Sequence, residues 1–433
     1  MLDLYSLKCQ IDHMVAEQVD RPRQAQVRME ASLAQLERWS ADWQALASKI
    51  ERSNTSWLLP LIAESPRQSY PRPVRPERIT VASTDGSQIF PDRHEISSCY
   101  LINIGYVLLH YGTGERPLMS SRPTLFHRDR DLYRGRGRRA GVNRELVGIR
   151  RSLLELTELA QLAAAAHDEG YPTVAMADGS LIMWSLEGKP PDFRGEYLES
   201  MLSAFETLRQ RRVPVVGYLS RPGAQDLTNA LRLGLCPLDA PDCDHCPYEA
   251  DSAELSELTE LSESTEPAEL TEPTELTEPT GAASTPDIPS PGAAGDLPCG
   301  AIDGVGDGAL LRRILQPGGR SAVFESSARI LAEYGPHAIC FFYVHVGAEI
   351  ARVEVPKWVA EDRTLLDLVH TCVCDQAEKG QGYPVSLSEA HEKAVVRGAD
   401  RESFYRYLRE AFVRHDIDAR ISNKSLRKRH AVV

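Results

Sequence analysis

Two ten-residue stretches of this chain carry acidic residues in the same setting. Residues 79–88 read ITVASTDGSQ, and residues 173–182 read TVAMADGSLI. In each, an apolar run typical of a short buried strand leads into Asp-Gly-Ser, and the Asp-Gly pair predicts an abrupt end to that strand. We therefore expect Asp85 and Asp178 to lie at the rim of one sheet and to converge at a cleft.

Two neighbouring carboxylates raise each other's pKa unless a cation lies between them. Their oxygen atoms are hard ligands that suit Mg²⁺ or Mn²⁺, and metal sites of this kind catalyse phosphoryl transfer by activating water and neutralising phosphate charge. The alternative is that each Asp-Gly-Ser is only a tight turn with a capping aspartate. The sequence therefore supports a metal site as one of two interpretations.

A long predicted helix, residues 145–169, precedes the second motif. Leucine and isoleucine recur along one of its faces, and Gly170-Tyr171-Pro172 ends it directly before the second strand. Glu155 and Glu158 both lie on this helix, so either could be a third ligand above the aspartate pair. The alternative is a glutamate that faces solvent.

A motif near the C-terminus adds a histidine and a tyrosine. Residues 382–396 read GYPVSLSEAHEKAVV, which predicts a turn at Tyr383-Pro384, a cap at Ser386 or Ser388, and a helix over residues 389–396 with His391 in its first turns. His391 could neighbour a metal, carry a proton or contact phosphate, or it could be a surface or packing residue.

The stretch HRDRDLYRGRGRR at residues 127–139 concentrates arginine with glycine. A flexible loop of this kind can follow a phosphate backbone, and Tyr133 could stack on a base. The alternative is a solvated loop whose aspartates partly cancel the charge. The candidate DNA-binding residues are Arg130, Arg134, Arg136, Arg138 and Arg139.

Nine cysteines, an odd number, argue against a disulfide framework. Cys236, Cys243 and Cys246 have the two-residue spacing of a metal knuckle at their end, and Cys299 follows some fifty residues later. Together they could form a four-thiolate site for zinc or an iron–sulfur cluster. The alternative is a loop with ordinary free thiols.

The net charge of −13 is concentrated in one segment. Residues 249–296 contain 13 acidic residues and no Lys or Arg, and the rest of the chain has 49 of each sign. Glutamate at every third position from Glu254 to Glu278, with proline and threonine between, predicts a disordered insert over residues 249–298. The remainder is neutral and has room for local basic patches.

Around this insert we expect an N-terminal helical segment over residues 1–60 and a basic tail over 416–433. Residues 95–104 and 106–111 predict two antiparallel strands that Gly105 separates. No apolar run approaches membrane-spanning length, and the first residues are acidic where a signal peptide is basic, so we expect a cytoplasmic protein without a membrane partner.

Taken in order, the motif at Asp85, the helix with Glu155, the motif at Asp178, the strand IARVEVPKW and the GYPVSLSEAHEKAV segment resemble the NurA family of nucleases. The resemblance covers about residues 79–412 without the insert, and it places the nuclease domain at residues 79–248 and 299–415. It implies an α/β, RNase H-like mixed sheet flanked by helices, binding Mn²⁺ or Mg²⁺ and cutting DNA. It also implies a homodimer and a hexameric HerA-type ATPase translocase as partner in DNA end resection and repair.

The resemblance also assigns roles to single residues. Asp85 and Asp178 match the family's metal-binding aspartates, Tyr383 and His391 match its C-terminal tyrosine and histidine, and Glu155 is our choice for the helix glutamate. One alternative function is a non-catalytic DNA-binding or adaptor subunit of a translocase complex, for which Asp85 would be dispensable. Another is a metal-dependent phosphoesterase for small substrates, for which the arginine loop would be dispensable.

Overall fold

The computed structural model describes residues 3–16, 21–91, 99–134, 140–248 and 297–417. The chain divides into two compact units, one formed by residues 1–67 and 224–310 and the other by 68–223 and 311–433. The predicted insert, apart from its last two residues, and most of the predicted tail lie outside the described residues. No helix in the described part of the chain is long and apolar enough to cross a membrane.

The α-helices are α1 (Leu4–Ala16), α2 (Arg21–Ala41), α3 (Trp43–Arg52), α4 (Asp129–Leu132), α5 (Arg144–Asp168), α6 (Pro191–Gln210), α7 (Asp226–Leu235), α8 (Asp307–Leu311), α9 (Lys357–Ala360), α10 (Arg363–Lys379), α11 (Val385–Ala394) and α12 (Gly398–Arg414). The strands are β1 (Pro60–Ile62), β2 (Ser69–Tyr70), β3 (Ile79–Ile89), β4 (Tyr100–Tyr111), β5 (Leu118–Phe126), β6 (Tyr133–Arg134), β7 (Ala140–Gly141), β8 (Thr173–Asp178), β9 (Val215–Leu219), β10 (Arg320–Ser321), β11 (Phe324–Ser326), β12 (Ile339–His345) and β13 (Ile350–Pro356).

The larger unit is built on one mixed sheet with the strand order β11-β12-β13-β9-β8-β3-β4-β5. β3 pairs in parallel with β8, and β8 with β9, whereas β4, β5 and β13 join in antiparallel fashion. The predicted mixed α/β sheet flanked by helices is thus confirmed. Its RNase H-like classification stays a prediction.

Both faces of this sheet are covered by helices, which explains why most residues of its central strands are buried. Successive side chains of a strand point to opposite faces. Ala82 and Ala175 accordingly pack with α5 and α6, whereas Val81 and Val174 pack with α10. The sheet therefore holds the ends of β3 and β8 between helices on both sides.

Helix α5 begins and ends where the sequence predicts. The side chain of Asn143 caps it by accepting a hydrogen bond of 2.9 Å from the Leu146 backbone N–H. Gly170 follows the helix with a φ of +97°, a conformation that favours glycine. The chain then passes directly into β8, so the helix and the second motif are tightly coupled.

In the smaller unit, α2, α3 and a 3-10 turn at Pro298–Ile302 pack around α7. The carboxylate of the buried Asp307 accepts hydrogen bonds from the backbone N–H groups of Leu227 and Thr228, in the first turn of α7. These donors have no partner within the helix itself, so Asp307 stabilises its start.

Candidate active site

Asp85 and Asp178 lie side by side on neighbouring strands. β3 and β8 are paired in parallel up to Thr84 and Ala177, the residues that immediately precede the two aspartates. Asp178 is the last residue of β8, and Gly179 turns the chain away with a φ of +97°. The predicted convergence of the two motifs in space is present in the fold.

The expected strand end at Asp85 was wrong. β3 continues through the motif to Ile89, because β4 pairs with it along its whole length, with Asp85 opposite Gly105. β4 likewise runs through Gly105 rather than breaking there. A local turn signal is weaker than a continuous ladder of backbone hydrogen bonds to a neighbouring strand.

Gly86 has a different reason to be glycine. A Cβ atom at this position would lie 2.4 Å from Oε1 of Glu155 and 2.8 Å from Cγ of Arg151. Both side chains come from α5, which crosses this face of the sheet. The missing side chain at Gly86 therefore leaves the space in which Glu155 approaches Asp85.

Glu155 is largely buried, with 18% of its side chain exposed. Arg151 Nε lies 3.0 Å from its Oε1 as an ion pair, but neither atom has a hydrogen-bond partner in the described structure. Burial, opposed by Arg151 and reinforced by the charges of Asp85 and Asp178, raises the pKa of Glu155 to about 7. The carboxylate is thus held where ionisation is costly.

Asp178 shows the same effect. Its pKa is raised by burial, an effect that the hydrogen bond from Tyr383 and the charge of His391 oppose and the charge of Asp85 reinforces. A cation shared by these carboxylates would favour the charged forms of Glu155 and Asp178. No group of three or more His, Cys, Asp or Glu side chains among the described residues is already drawn into a metal-holding arrangement.

The donor set nevertheless fits a hard divalent cation. Asp85, Glu155 and Asp178 offer oxygen ligands, and Oε1 of Glu155 is buried without a hydrogen bond. Each carboxylate now has a protein partner. His391 hydrogen-bonds Asp85, Arg151 forms an ion pair with Glu155, and Tyr383 hydrogen-bonds Asp178. A bound metal would compete with these contacts.

His391 reaches the site from α11. Its Nδ1 forms a hydrogen bond of 2.7 Å with Oδ2 of Asp85. The helix lies so close to β4 that a Cβ atom on Gly105 would be 2.3 Å from the backbone nitrogen of Ala394. Because Gly105 is the residue paired with Asp85, this close packing places His391 at the aspartate.

The prediction that His391 lies in the first turns of its helix was wrong. α11 is Val385–Ala394, so it begins directly after Pro384 and His391 is in its last turn. Pro384 precedes the first helical residue without a side-chain cap. Ser386 is instead buried and accepts a hydrogen bond of 2.8 Å from Ser83, which ties α11 to β3.

Tyr383 lies on the other side of the aspartate pair. It hydrogen-bonds Asp178, and burial together with that carboxylate raises its pKa. Its ring packs edge-on against Tyr218, with the centroids 5.6 Å apart. Tyr218 is the β9 residue paired with Asp178, so the ring on β9 helps to orient Tyr383.

Two further residues were missed by the sequence analysis. Arg151 precedes Glu155 by four residues on α5, a spacing that places both on one helix face and could have been used. Glu354 on β13 is buried, and its Oε2 accepts hydrogen bonds of 2.7 Å from Ser180 Oγ and 3.0 Å from Leu181 N. It fixes the turn after Asp178, and no local pattern connects residues so far apart in sequence.

The choice between Glu155 and Glu158 has a geometric answer. Glu158 forms an ion pair of 2.7 Å with Arg122 of β5. Glu155 lies at the aspartate motif of β3: its Oε1 is the atom closest to a Cβ built on Gly86, and its backbone carbonyl accepts a hydrogen bond of 2.9 Å from Thr84 Oγ1. The geometry therefore favours Glu155 as the residue that shares a cation with them.

The predicted arginine loop is described only in part. Arg130 is an exposed residue of α4, and Arg134 belongs to β6, which pairs with β7. Arg136, Arg138 and Arg139 lie outside the described residues. Tyr133, the predicted stacking residue, is 39% exposed.

The fold and the site define a class: an α/β protein whose mixed sheet lies between helices and holds two neighbouring aspartates with a buried glutamate near them. The chain belongs to the NurA family, since the family model of the NurA domain matches residues 79–396. No curated protein matches the chain.

Solved structures of low sequence identity resemble the chain. The NurA nuclease from Sulfolobus solfataricus is 12% identical, covers 92% of this chain and 99% of its own, and has a TM-score of 0.43. The structure of NurA bound to dAMP and manganese is 13% identical, and the match covers 96% of this chain and 98% of that one, with a TM-score of 0.34. NurA with manganese is 10% identical, covers 77% and 90%, and has a TM-score of 0.33.

Proposed function

We propose that this protein is a divalent-metal-dependent deoxyribonuclease. The observation that carries the proposal is the position of Glu155, which is buried without a hydrogen bond at Oε1, lies against Gly86 next to Asp85, and experiences the charges of Asp85 and Asp178. Membership of the NurA family sets the reaction class, because its solved members include a nuclease and forms with manganese and dAMP.

In this proposal the three carboxylates hold Mn²⁺ or Mg²⁺. When bound, the metal supplies Lewis-acid stabilisation of phosphate charge and lowers the pKa of an attacking water. His391 hydrogen-bonds Asp85, so it orients that carboxylate and can hold a proton at the edge of the site. Tyr383 orients Asp178 by donating to it, and Glu354 keeps the following turn in place.

The substrate side of the proposal rests on the basic residues of the arginine-rich stretch at 127–139. Arg130 of α4 is exposed and could contact the phosphate backbone, as could Arg134, Arg136, Arg138 and Arg139. The homodimer, the hexameric HerA-type ATPase translocase, the role in DNA end resection and repair, and the cytoplasmic location are parts of the same proposal. They derive from the family resemblance.

The test is Mn²⁺-dependent cleavage of labelled single- and double-stranded DNA. We compare the parent protein with Asp85→Asn, Asp178→Asn and Glu155→Gln, and use Glu158→Gln as the matched control on the same helix. We expect the first three to lose cleavage by at least about 100-fold while still binding DNA. Glu158→Gln should keep most of the activity.

Two outcomes would contradict the proposal. Equal cleavage by all variants would place the reaction at another site or in a contaminant. DNA binding without cleavage by the parent protein, also with a HerA-type ATPase present, would favour the adaptor function instead.

A further inference from the structure

The smaller unit contains a second cluster of potential metal ligands. A pocket of about 30 Å³, bounded mainly by prolines, leucines and Trp57, is lined by four cysteines that come from two distant parts of the sequence. We call it the cysteine pocket, and its thiols belong to Cys236, Cys243, Cys246 and Cys299. All four are free and only partly buried.

Each thiol is positioned by a defined local structure. Cys236 directly follows α7, and its backbone N–H donates to the carbonyl of Leu233. Cys299 lies in the 3-10 turn that packs on the same helix. The fold, rather than the sequence spacing, thus brings Cys299 to the other three cysteines.

The loop that carries Cys243 and Cys246 is held on two sides. The Cys243 N–H donates to the carbonyl of Asn54, and the Asn54 N–H donates back to Pro241 over 2.9 Å. The Asp242 carboxylate accepts from the backbone N–H of His245 at 3.1 Å, which closes the turn between the two cysteines. Hydrogen bonds of the protein itself therefore hold this turn in place.

Two basic side chains hydrogen-bond backbone carbonyls of the cysteine pocket. Lys49 donates through Nζ to the carbonyl of Cys236, and Arg232 donates through Nε to the carbonyl of Cys299 over 3.2 Å. Several thiolates in one pocket would need a further positive charge, and the two basic residues could offset the excess negative charge of a metal with four thiolates.

We propose that the cysteine pocket binds one thiophilic metal centre through its four thiolates. The pocket has room for a single ion such as Zn²⁺, and an iron–sulfur cluster is the other centre with the same ligand chemistry. Binding forms four metal–sulfur bonds and releases the four thiol protons to solvent. The thiols must turn inward, because no ligand group is preassembled among the described residues.

The position of the four cysteines indicates what this centre does. Three of them precede the acidic segment at residues 249–296, and the fourth follows it. A metal bound to all four cysteines would link the chain before this segment to the chain after it, next to α7. Closing a long loop in this way restricts the unfolded chain, so the metal would stabilise the smaller unit irrespective of the nuclease site.

The test begins with metal and acid-labile sulfide analysis of protein purified without oxygen. One zinc per chain without sulfide identifies a zinc site, and iron with sulfide and visible charge-transfer absorption identifies a cluster. We expect Cys236→Ser and Cys299→Ser to lose the metal, and Cys9→Ser, which alters an exposed thiol of α1, to retain it. Chelator should lower the melting temperature of the parent protein and of Cys9→Ser only.

A spectroscopic probe keeps the test decisive if a variant folds poorly. Metal-free parent protein is titrated with Co²⁺, whose thiolate complexes absorb in the near ultraviolet, and circular dichroism follows the fold of each variant. The proposal is overturned if the parent protein carries no stoichiometric metal and gives no thiolate–cobalt band. It is also overturned if folded Cys236→Ser and Cys299→Ser bind as much metal as the parent.

Discussion

Replacing Gly86 by alanine tests the geometry on which the proposed active site depends. The added Cβ would lie 2.4 Å from Oε1 of Glu155, 2.8 Å from Cγ of Arg151 and 3.1 Å from its Cδ. Carbon atoms in contact are normally about 3.5–4.0 Å apart. Either the two side chains or the strand must therefore move by roughly an ångström.

The expected cost follows from the atoms that must give way. Oε1 is the end of a flexible side chain, but the Arg151 atoms lie nearer the backbone of α5, so the strain is not removed by a single rotation. We expect a loss of about 1–3 kcal/mol in the free energy of unfolding, as for other overpacked sites. Because Glu155 is displaced from the aspartates, we also expect Mn²⁺ affinity to fall by about 10–100-fold.

Urea unfolding measures the first quantity, and Mn²⁺-dependent DNA cleavage at graded metal concentrations measures the second. Gly148→Ala is the matched control: it lies on α5, has open space around a Cβ, and should stabilise the helix by about 0.5–1 kcal/mol. If Gly86→Ala unfolds and cleaves like the parent protein, Glu155 is not packed against β3 and the proposed three-carboxylate site is refuted.

Two other predictions address Tyr383 and His370. Tyr383→Phe removes the hydrogen bond that lowers the pKa of Asp178. As the pH falls, Mn²⁺ binding should therefore be lost at a higher pH than in the parent protein, which metal titration measures. An unchanged pH profile would show that the hydroxyl does not act on Asp178. Burial lowers the pKa of His370, whose Nε2 hydrogen-bonds the Gly318 carbonyl over 2.8 Å, to about 4, so the folded state disfavours its charged form. The contribution of neutral His370 to the free energy of unfolding is complete above the unfolded pKa of 6.5. It should fall by on the order of 3 kcal/mol as the pH decreases from 6.5 to about 4. His370→Gln, compared by urea unfolding at both pH values, should lose less stability on acidification, and equal losses would contradict this assignment.

Much of the framework was predictable because it depends on local patterns. The apolar runs before the two Asp-Gly-Ser motifs became β3 and β8, and the leucine-rich segment between Asn143 and Gly170 became α5. The IARVEVPKW segment, which was expected to be a strand, contains β13. In these segments propensity, periodicity and the residues at the ends all favour the same structure, so tertiary packing had nothing to override.

The errors share a physical cause. At Asp85 a turn signal met a neighbouring strand that paired straight through it, and at Gly105 the same pairing kept β4 continuous. In α11 the helix began directly after Pro384, earlier than the predicted first turn, and it packs closely on β4. Long-range pairing and packing, which no local window contains, decided each case.

The sequence by itself determined which groups were available: two aspartates after matched strands, a glutamate on the intervening helix, a C-terminal tyrosine and histidine, and four cysteines with one knuckle spacing. Only the tertiary structure decided which of them meet. It selected Glu155 over Glu158 through the space at Gly86, brought His391 to Asp85 through the close approach at Gly105, and gathered Cys299 with the other thiols. Residue types and local order follow from the chain, whereas contacts between distant segments depend on strand register and on how closely helices approach the sheet.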